Sequence, residues 1–177
     1  MSASVLMLGP VIALVAWSLV MWVWMFATRI PAIFAARMTL DPDAPRGEQM
    51  ARLPPRVRWK ADNYNHLMEQ PTLFYAIALA LSMISVSTWG VLALAWAYVA
   101  LRVIHSLVQA LGNRIEIRFA LFVLSNIPLF ALTVVAAVAM LVAASAGWSA
   151  PAGAQSAGTP GVTAKEIQVG AIVGKTN

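Results

Sequence analysis

Two groups of polar residues interrupt otherwise apolar stretches of this sequence. Asn63, His66 and Glu69 follow one another at i, i+3 and i+6, and Arg102, His105 and Gln109 at i, i+3 and i+7. On helices, each spacing is expected to gather its group on one face. A carboxylate, a guanidinium and two imidazoles there could bind a polar ligand or hold a proton. Counted from the turn near Ser87, Glu69 and His105 each lie about 18 residues away, or roughly 27 Å at the helical rise, and Arg102 about one turn nearer. Antiparallel neighbours would therefore bring Glu69 level with His105 and within reach of Arg102. Asn63 and His66 would sit near Gln109. The spacing predicts a Glu69–Arg102 ion pair, whose role is structural, functional or both. His105, Gln109 and Asn63 also suit plain interhelical hydrogen bonding. His66, His105 and Glu69 are three potential metal ligands with no second cluster, and no metal is expected. Asn126 and Pro128 read as a helix kink with a locally satisfied backbone.

The elements that carry these groups are helices in a bilayer. Of the 177 residues, 60% are hydrophobic and 11% charged. A soluble domain usually carries about a quarter charged residues, so the chain lacks the polar surface to cover a water-soluble globule. Cysteine is absent, which excludes disulfides, thiolate metal sites and cysteine nucleophiles. The net charge of +5 does not point to nucleic acid, because the basic residues flank apolar runs. No Gly-rich phosphate loop and no Ser-His-Asp arrangement compatible with the topology is present.

A spanning helix needs roughly 20 apolar residues. Four segments qualify, over residues 5–36, 62–86, 89–111 and 117–146. The expected fold is thus all-α, an integral membrane four-helix bundle occupying residues 1–148. The first segment has no basic n-region and outruns a signal-peptide core, so it reads as a helix retained in the membrane. Arg29, Arg37, Arg46, Arg52, Arg56, Arg58 and Lys60 surround the first connection, and Arg114 and Arg118 the third. The positive-inside bias makes that side cytoplasmic and leaves both termini periplasmic or extracellular. Arg29 and Arg37 could equally snorkel to the interface. Residues 149–177, rich in Ala, Gly, Ser and Pro, read as a disordered periplasmic tail.

The stretch Arg56-Val57-Arg58-Trp59-Lys60-Ala61-Asp62-Asn63, followed by Glu69-Gln70-Pro71-Thr72-Leu73-Phe74-Tyr75, resembles the second-helix signature of the MAPEG family, the membrane-associated proteins of eicosanoid and glutathione metabolism. Tyr98, Arg102 to Ser106, Gln109, Gly112, Arg114 and Arg118 are similar to the family's signature for the third and fourth helices. The resemblance covers roughly residues 5–146 and implies a homotrimer, with glutathione bound between subunits near the cytoplasmic face. It implies a transferase or peroxidase acting on lipophilic electrophiles, in the inner membrane of a bacterium. By motif, Arg118 would stabilise the glutathione thiolate. Asn63 or His66, Glu69, Arg102 and His105 would bind glutathione or support its pocket, with Gln109 where a Tyr is frequent. Arg37 or Arg29 would touch the peptide. Phe119 follows Arg118 where some members have Ser. These departures suit the alternative, a non-catalytic scaffold or lipid-binding protein on the same fold. A channel or transporter fits less well, because the polar residues do not line a full path across the bilayer. The segment from Thr159 to Gly170 is similar to the opening of periplasmic amino-acid-binding proteins and reads as a gene-boundary artefact or fusion remnant.

Overall fold

The computed structural model describes residues 3–45, 47–148, 162–163 and 166–167. Arg46 and most of the tail after Trp148 lie outside the described residues. The chain divides into two units, residues 1–139 and 140–177. Helices dominate: α1 (Ala3–Leu6), α2 (Leu8–Ala35), α3 (Glu48–Ala51), α4 (Pro55–Glu69), α5 (Pro71–Met83), α6 (Trp89–Leu111) and α7 (Ile115–Trp148). In the second unit, β1 (Val162–Thr163) and β2 (Glu166–Ile167) form a minimal antiparallel pair.

Among the described residues, three helices are long and apolar enough to cross a membrane: α2, α6 and residues Ile115–Ser145 of α7. These apolar helices make the chain an integral membrane protein, helical throughout its first unit. The apolar stretch expected over residues 62–86 is instead divided between α4 and α5. Pro71 explains the division, because it has no N–H to continue the helical ladder. Gln70 keeps helical angles (φ −68°, ψ −38°), so α5 follows α4 without the chain leaving the helical conformation. The helix also starts earlier than expected. Pro54 is extended and Pro55 opens α4, where the ring's fixed φ suits the first turn and its missing N–H costs nothing.

In the first unit, α2 packs on α4, α5 and α6, and α4 packs on α6. The buried stripe of α2 is Pro10, Leu14, Ser18, Met21 and Met25, at helical spacing. Its other faces expose Ile12, Leu19, Val23 and Phe34. An apolar surface of this extent matches lipid or a partner subunit. Phe74 stacks on Tyr98 with ring centroids 4.5 Å apart, within a core completed by Leu14, Leu67, Ala78, Leu81, Ala95 and Leu132. Helix α7 contributes Ser125, Leu129, Leu132 and Ala136 to the interior.

The connections fix where the polar ends meet. Between α2 and α4, Gln49 clamps the loop: its Oε1 accepts from Asp41 N (2.9 Å) and its Nε2 donates to Asp41 O (2.7 Å). Lys60 is buried, donates to Arg56 O (2.8 Å) and lies 5.1 Å over the Trp24 ring, tying α4 to α2. Thr88 caps α6 by accepting from Val91 N. Asn113, with φ 48°, turns the chain from α6 into α7 within three residues.

Candidate functional site

The buried stripe of α6 changes character along its length. Toward the N-terminus it is Val91, Ala95, Tyr98 and Val99; toward the C-terminus it becomes Arg102, His105, Ser106 and Gln109. The C-terminal half faces α4, and the polar groups of the two helices meet there. Asn63 Nδ2 donates to Ser106 Oγ at 2.6 Å. The His66 and His105 rings approach edge to face, with centroids 6.1 Å apart.

The expected Glu69–Arg102 ion pair does not form. Arg102 is 0% exposed; its Nη1 donates to Gln70 Oε1 (2.8 Å) and its Nη2 to His66 O (3.0 Å). The Glu69 side chain is 71% exposed and lies 3.7 Å from His66 Nδ1. The reason is rotation: consecutive helical residues point about 100° apart. That step turns Glu69 outward when Gln70 turns inward. No carboxylate lies within ion-pair distance of Arg102 among the described residues. The expectation that Asn63 shares a face with His66 and Glu69 is corrected in the same way. An i+6 step closes well short of two turns, whereas Asp62, Asn65, His66 and Glu69, at i, i+3, i+4 and i+7, form one face.

That face lines a polar cavity of about 360 Å³, bounded by Asp62, Asn65, His66, Glu69, Gln109 and Arg118. An apolar cavity of about 390 Å³ adjoins it, bounded by His66, His105, Ile115, Arg118, Phe119 and Phe122. His66 and Arg118 belong to both. Arg118 Nη1 donates to Asn113 Oδ1 at the start of α7. Two buried atoms at the cavities have no protein partner: Gln109 Oε1, an acceptor, and Arg118 Nε, a donor. The first can only accept and the second only donate a hydrogen bond.

Of the residues singled out in the sequence, His66, Glu69, His105, Gln109 and Arg118 line these cavities. Asn63 and Arg102 lie behind them, 0% exposed, as supports. Arg37 lies exposed beyond the end of α2 and lines neither cavity. Arg29 lines a smaller cleft of about 260 Å³ that shares Asp62 and Asn65 with the polar cavity. Sequence reasoning missed Asp62, Asn65 and Gln70 on α4 and its break, and Ile115 and Phe122 on α7. The i, i+3, i+4, i+7 spacing of Asp62, Asn65, His66 and Glu69 was the available signal.

The profile of the MAPEG family matches residues 7–150. That span covers most of the chain and all of both cavities, and the chain belongs to the MAPEG family. The family includes membrane glutathione transferases and peroxidases, and its members commonly use glutathione. No curated protein and no solved structure matches the chain.

Proposed function

We propose that the protein is a membrane-bound glutathione-dependent transferase or peroxidase acting on lipophilic electrophiles. The observation that carries this reading is the adjoining pair of cavities, one polar and one apolar, with His66 and Arg118 common to both. A hydrophilic tripeptide thiol and an apolar second substrate need such compartments side by side.

The donor set fits glutathione. Asp62 and Glu69 can pair with its ammonium group, Gln109 Oε1 can accept an amide N–H, and Arg118 can hold the sulfur. A fixed cation beside a thiol lowers its pKa and raises the thiolate fraction. The thiolate sulfur then attacks an electrophilic carbon and expels its leaving group. In the peroxidase case it attacks a peroxide oxygen, breaking the O–O bond to release an alcohol and leave a glutathione sulfenic acid, which a second glutathione converts to the disulfide and water. Ile115, Phe119 and Phe122 would exclude water from the attacked atom and receive an apolar substrate from the lipid.

The same reading takes α4 and α5 together as a fourth membrane crossing, giving a four-helix protomer. The protomers would assemble as a homotrimer in the inner membrane of a bacterium, with the connections before α4 and α7 cytoplasmic and both termini periplasmic. The exposed apolar faces of α2 and α7 support burial in lipid or against neighbours. The tail beyond Trp148 would lie outside this unit. Magnitudes favour a functional reason for Arg102. Insertion scales charge about 2.5–3.5 kcal/mol for an Arg at the centre of a membrane helix. An interhelical hydrogen bond in a membrane returns about 0.6 kcal/mol on average, so its two bonds do not offset that cost.

The test is turnover. Purified protein in nanodiscs should conjugate glutathione to a lipophilic aryl halide or reduce a lipid hydroperoxide. Absence of both activities in protein that still binds lipid would select the non-catalytic reading, a scaffold or lipid-binding protein. Phe119, 67% exposed beside the apolar cavity, is the feature that favours this second reading.

A further inference from the structure

A chain of hydrogen bonds crosses three helices behind the two cavities. Arg102 on α6 donates from Nη1 to Gln70 Oε1, at the break between α4 and α5. Gln70 Nε2 donates to Asn126 Oδ1 on α7. Asn126 Nδ2 donates to Phe122 O at 2.8 Å, and Ser125 Oγ donates to the same carbonyl at 2.8 Å. The direction of the chain is fixed at its origin. A guanidinium has only donors, so Gln70 must turn its oxygen to Arg102 and its nitrogen to Asn126. Asn126 must in turn present its oxygen.

The chain ends where the site begins. Arg118, Phe122 and Asn126 follow at i, i+4 and i+8 along α7, and Arg118 and Phe122 both line the apolar cavity. Most of the polar cavity is supplied by α4 and α6, whereas Arg118 is carried by α7. Something must hold α7 in register with the other two. Asn126 is half-buried, and the fully buried residues of α7 among those described are Ser125, bonded within its own helix, and the apolar Pro128, Leu129, Leu132 and Ala136. Apolar packing tolerates sliding and rotation more readily than a directional bond does. Gln70 to Asn126 is a directional side-chain hydrogen bond that ties α7 to the break between α4 and α5.

We propose that Gln70 and Asn126 are positioning residues: the Arg102–Gln70–Asn126 relay sets the rotation of α7 and so places Arg118 between the polar and apolar cavities. The inference rests on the glutathione reading for its catalytic consequence but not for its structural one. Because the chain has no cysteine, the two can be read separately. Nitroxide labels on Met68→Cys and Val123→Cys, both at exposed positions on α4 and α7, report the separation of these helices. Labelled protomers are diluted with unlabelled ones in nanodiscs.

The expected result is one narrow distance in the parent and in Asn126→Asp, which keeps the acceptor. The distance should shift or broaden in Asn126→Leu and in Gln70→Met. In the same variants glutathione KM should change little, because its binding groups lie chiefly on α4 and α6. The kcat value should fall on the order of tenfold to a hundredfold, the scale of an ångström-sized misplacement, and Asn126→Asp should restore it. An unchanged distance in both Asn126→Leu and Gln70→Met overturns the inference. A distance that responds while the parent binds no glutathione overturns the proposed function and supports the relay. Should Asn126→Leu fail to fold, Asn126→Ala and Gln70→Met carry the same test.

Discussion

The two halves of α6 use the same helical stripe for different purposes. From Val91 to Val99 the buried positions are small or apolar, apart from Tyr98, whose ring stacks on Phe74. From Arg102 to Gln109 the stripe is a guanidinium, an imidazole, a hydroxyl and an amide. The first half is held by dispersion contacts, each weak and collectively large. The second half sacrifices some of that packing for groups that are costly to bury. His105 and Gln109 line the cavities, Arg102 bonds the His66 carbonyl, and Ser106 ties α6 to Asn63 behind them. The site is thus a polar end grafted onto an apolar bundle.

Substitutions can separate the halves. The largest stability effect should come from Phe74→Ala, which removes a fully buried ring from the apolar half. A cost of about 3–5 kcal/mol is expected, read by thermal unfolding in detergent, with turnover per folded molecule unchanged. Next, Arg118→Ala should leave the melting temperature alone and lower kcat by about 10²–10³-fold, the loss seen when one donor to a developing or held anion is deleted. Arg102→Leu should fall between these patterns. It strands two acceptors, at about 1–3 kcal/mol each, but relieves a buried charge, so stability should move little while glutathione affinity drops. Isothermal titration would register that drop. The smallest effect belongs to Glu69→Gln, expected at no more than about 1 kcal/mol in stability because the carboxylate is exposed. A loss of about 3–5 kcal/mol would instead reinstate the buried Glu69–Arg102 pair.

Much of this arrangement was legible in the sequence, for stateable reasons. The range of α6, Trp89–Leu111, follows from an apolar run bounded by the Thr88 cap and Gly112, both ordinary stop and start signals. Counting brought the polar groups of the two helices together but missed their level by about one turn: it set Glu69 level with His105, whereas His66 faces His105 and Asn63 bonds to Ser106. Rotation about the helix axis was less legible. Counting residues from a turn bears on height but not azimuth, and a one-residue error exchanges Glu69 for Gln70. A charge-matching argument then favoured the wrong neighbour, because it searched for a carboxylate where an amide sufficed.

The start of α4 was placed too late for a different reason. An apolarity criterion passes over Pro55 to Ala61, although Pro54-Pro55 is itself a helix-opening signal. Asn126 was read as part of a kink, and its Nδ2 does bond back to Phe122 O. Its Oδ1, which receives Gln70, depends on a helix distant in sequence and left no local trace.

The central claim is that Arg118 stands where it can hold a thiolate. Glutathione titrated at neutral pH into the protein in nanodiscs, followed by the ultraviolet absorbance of the thiolate, tests it most directly. The account predicts a saturable thiolate signal in the parent protein and its loss in Arg118→Ala with the tripeptide still bound. A thiolate signal of equal size in both proteins, or none in the parent, would contradict it.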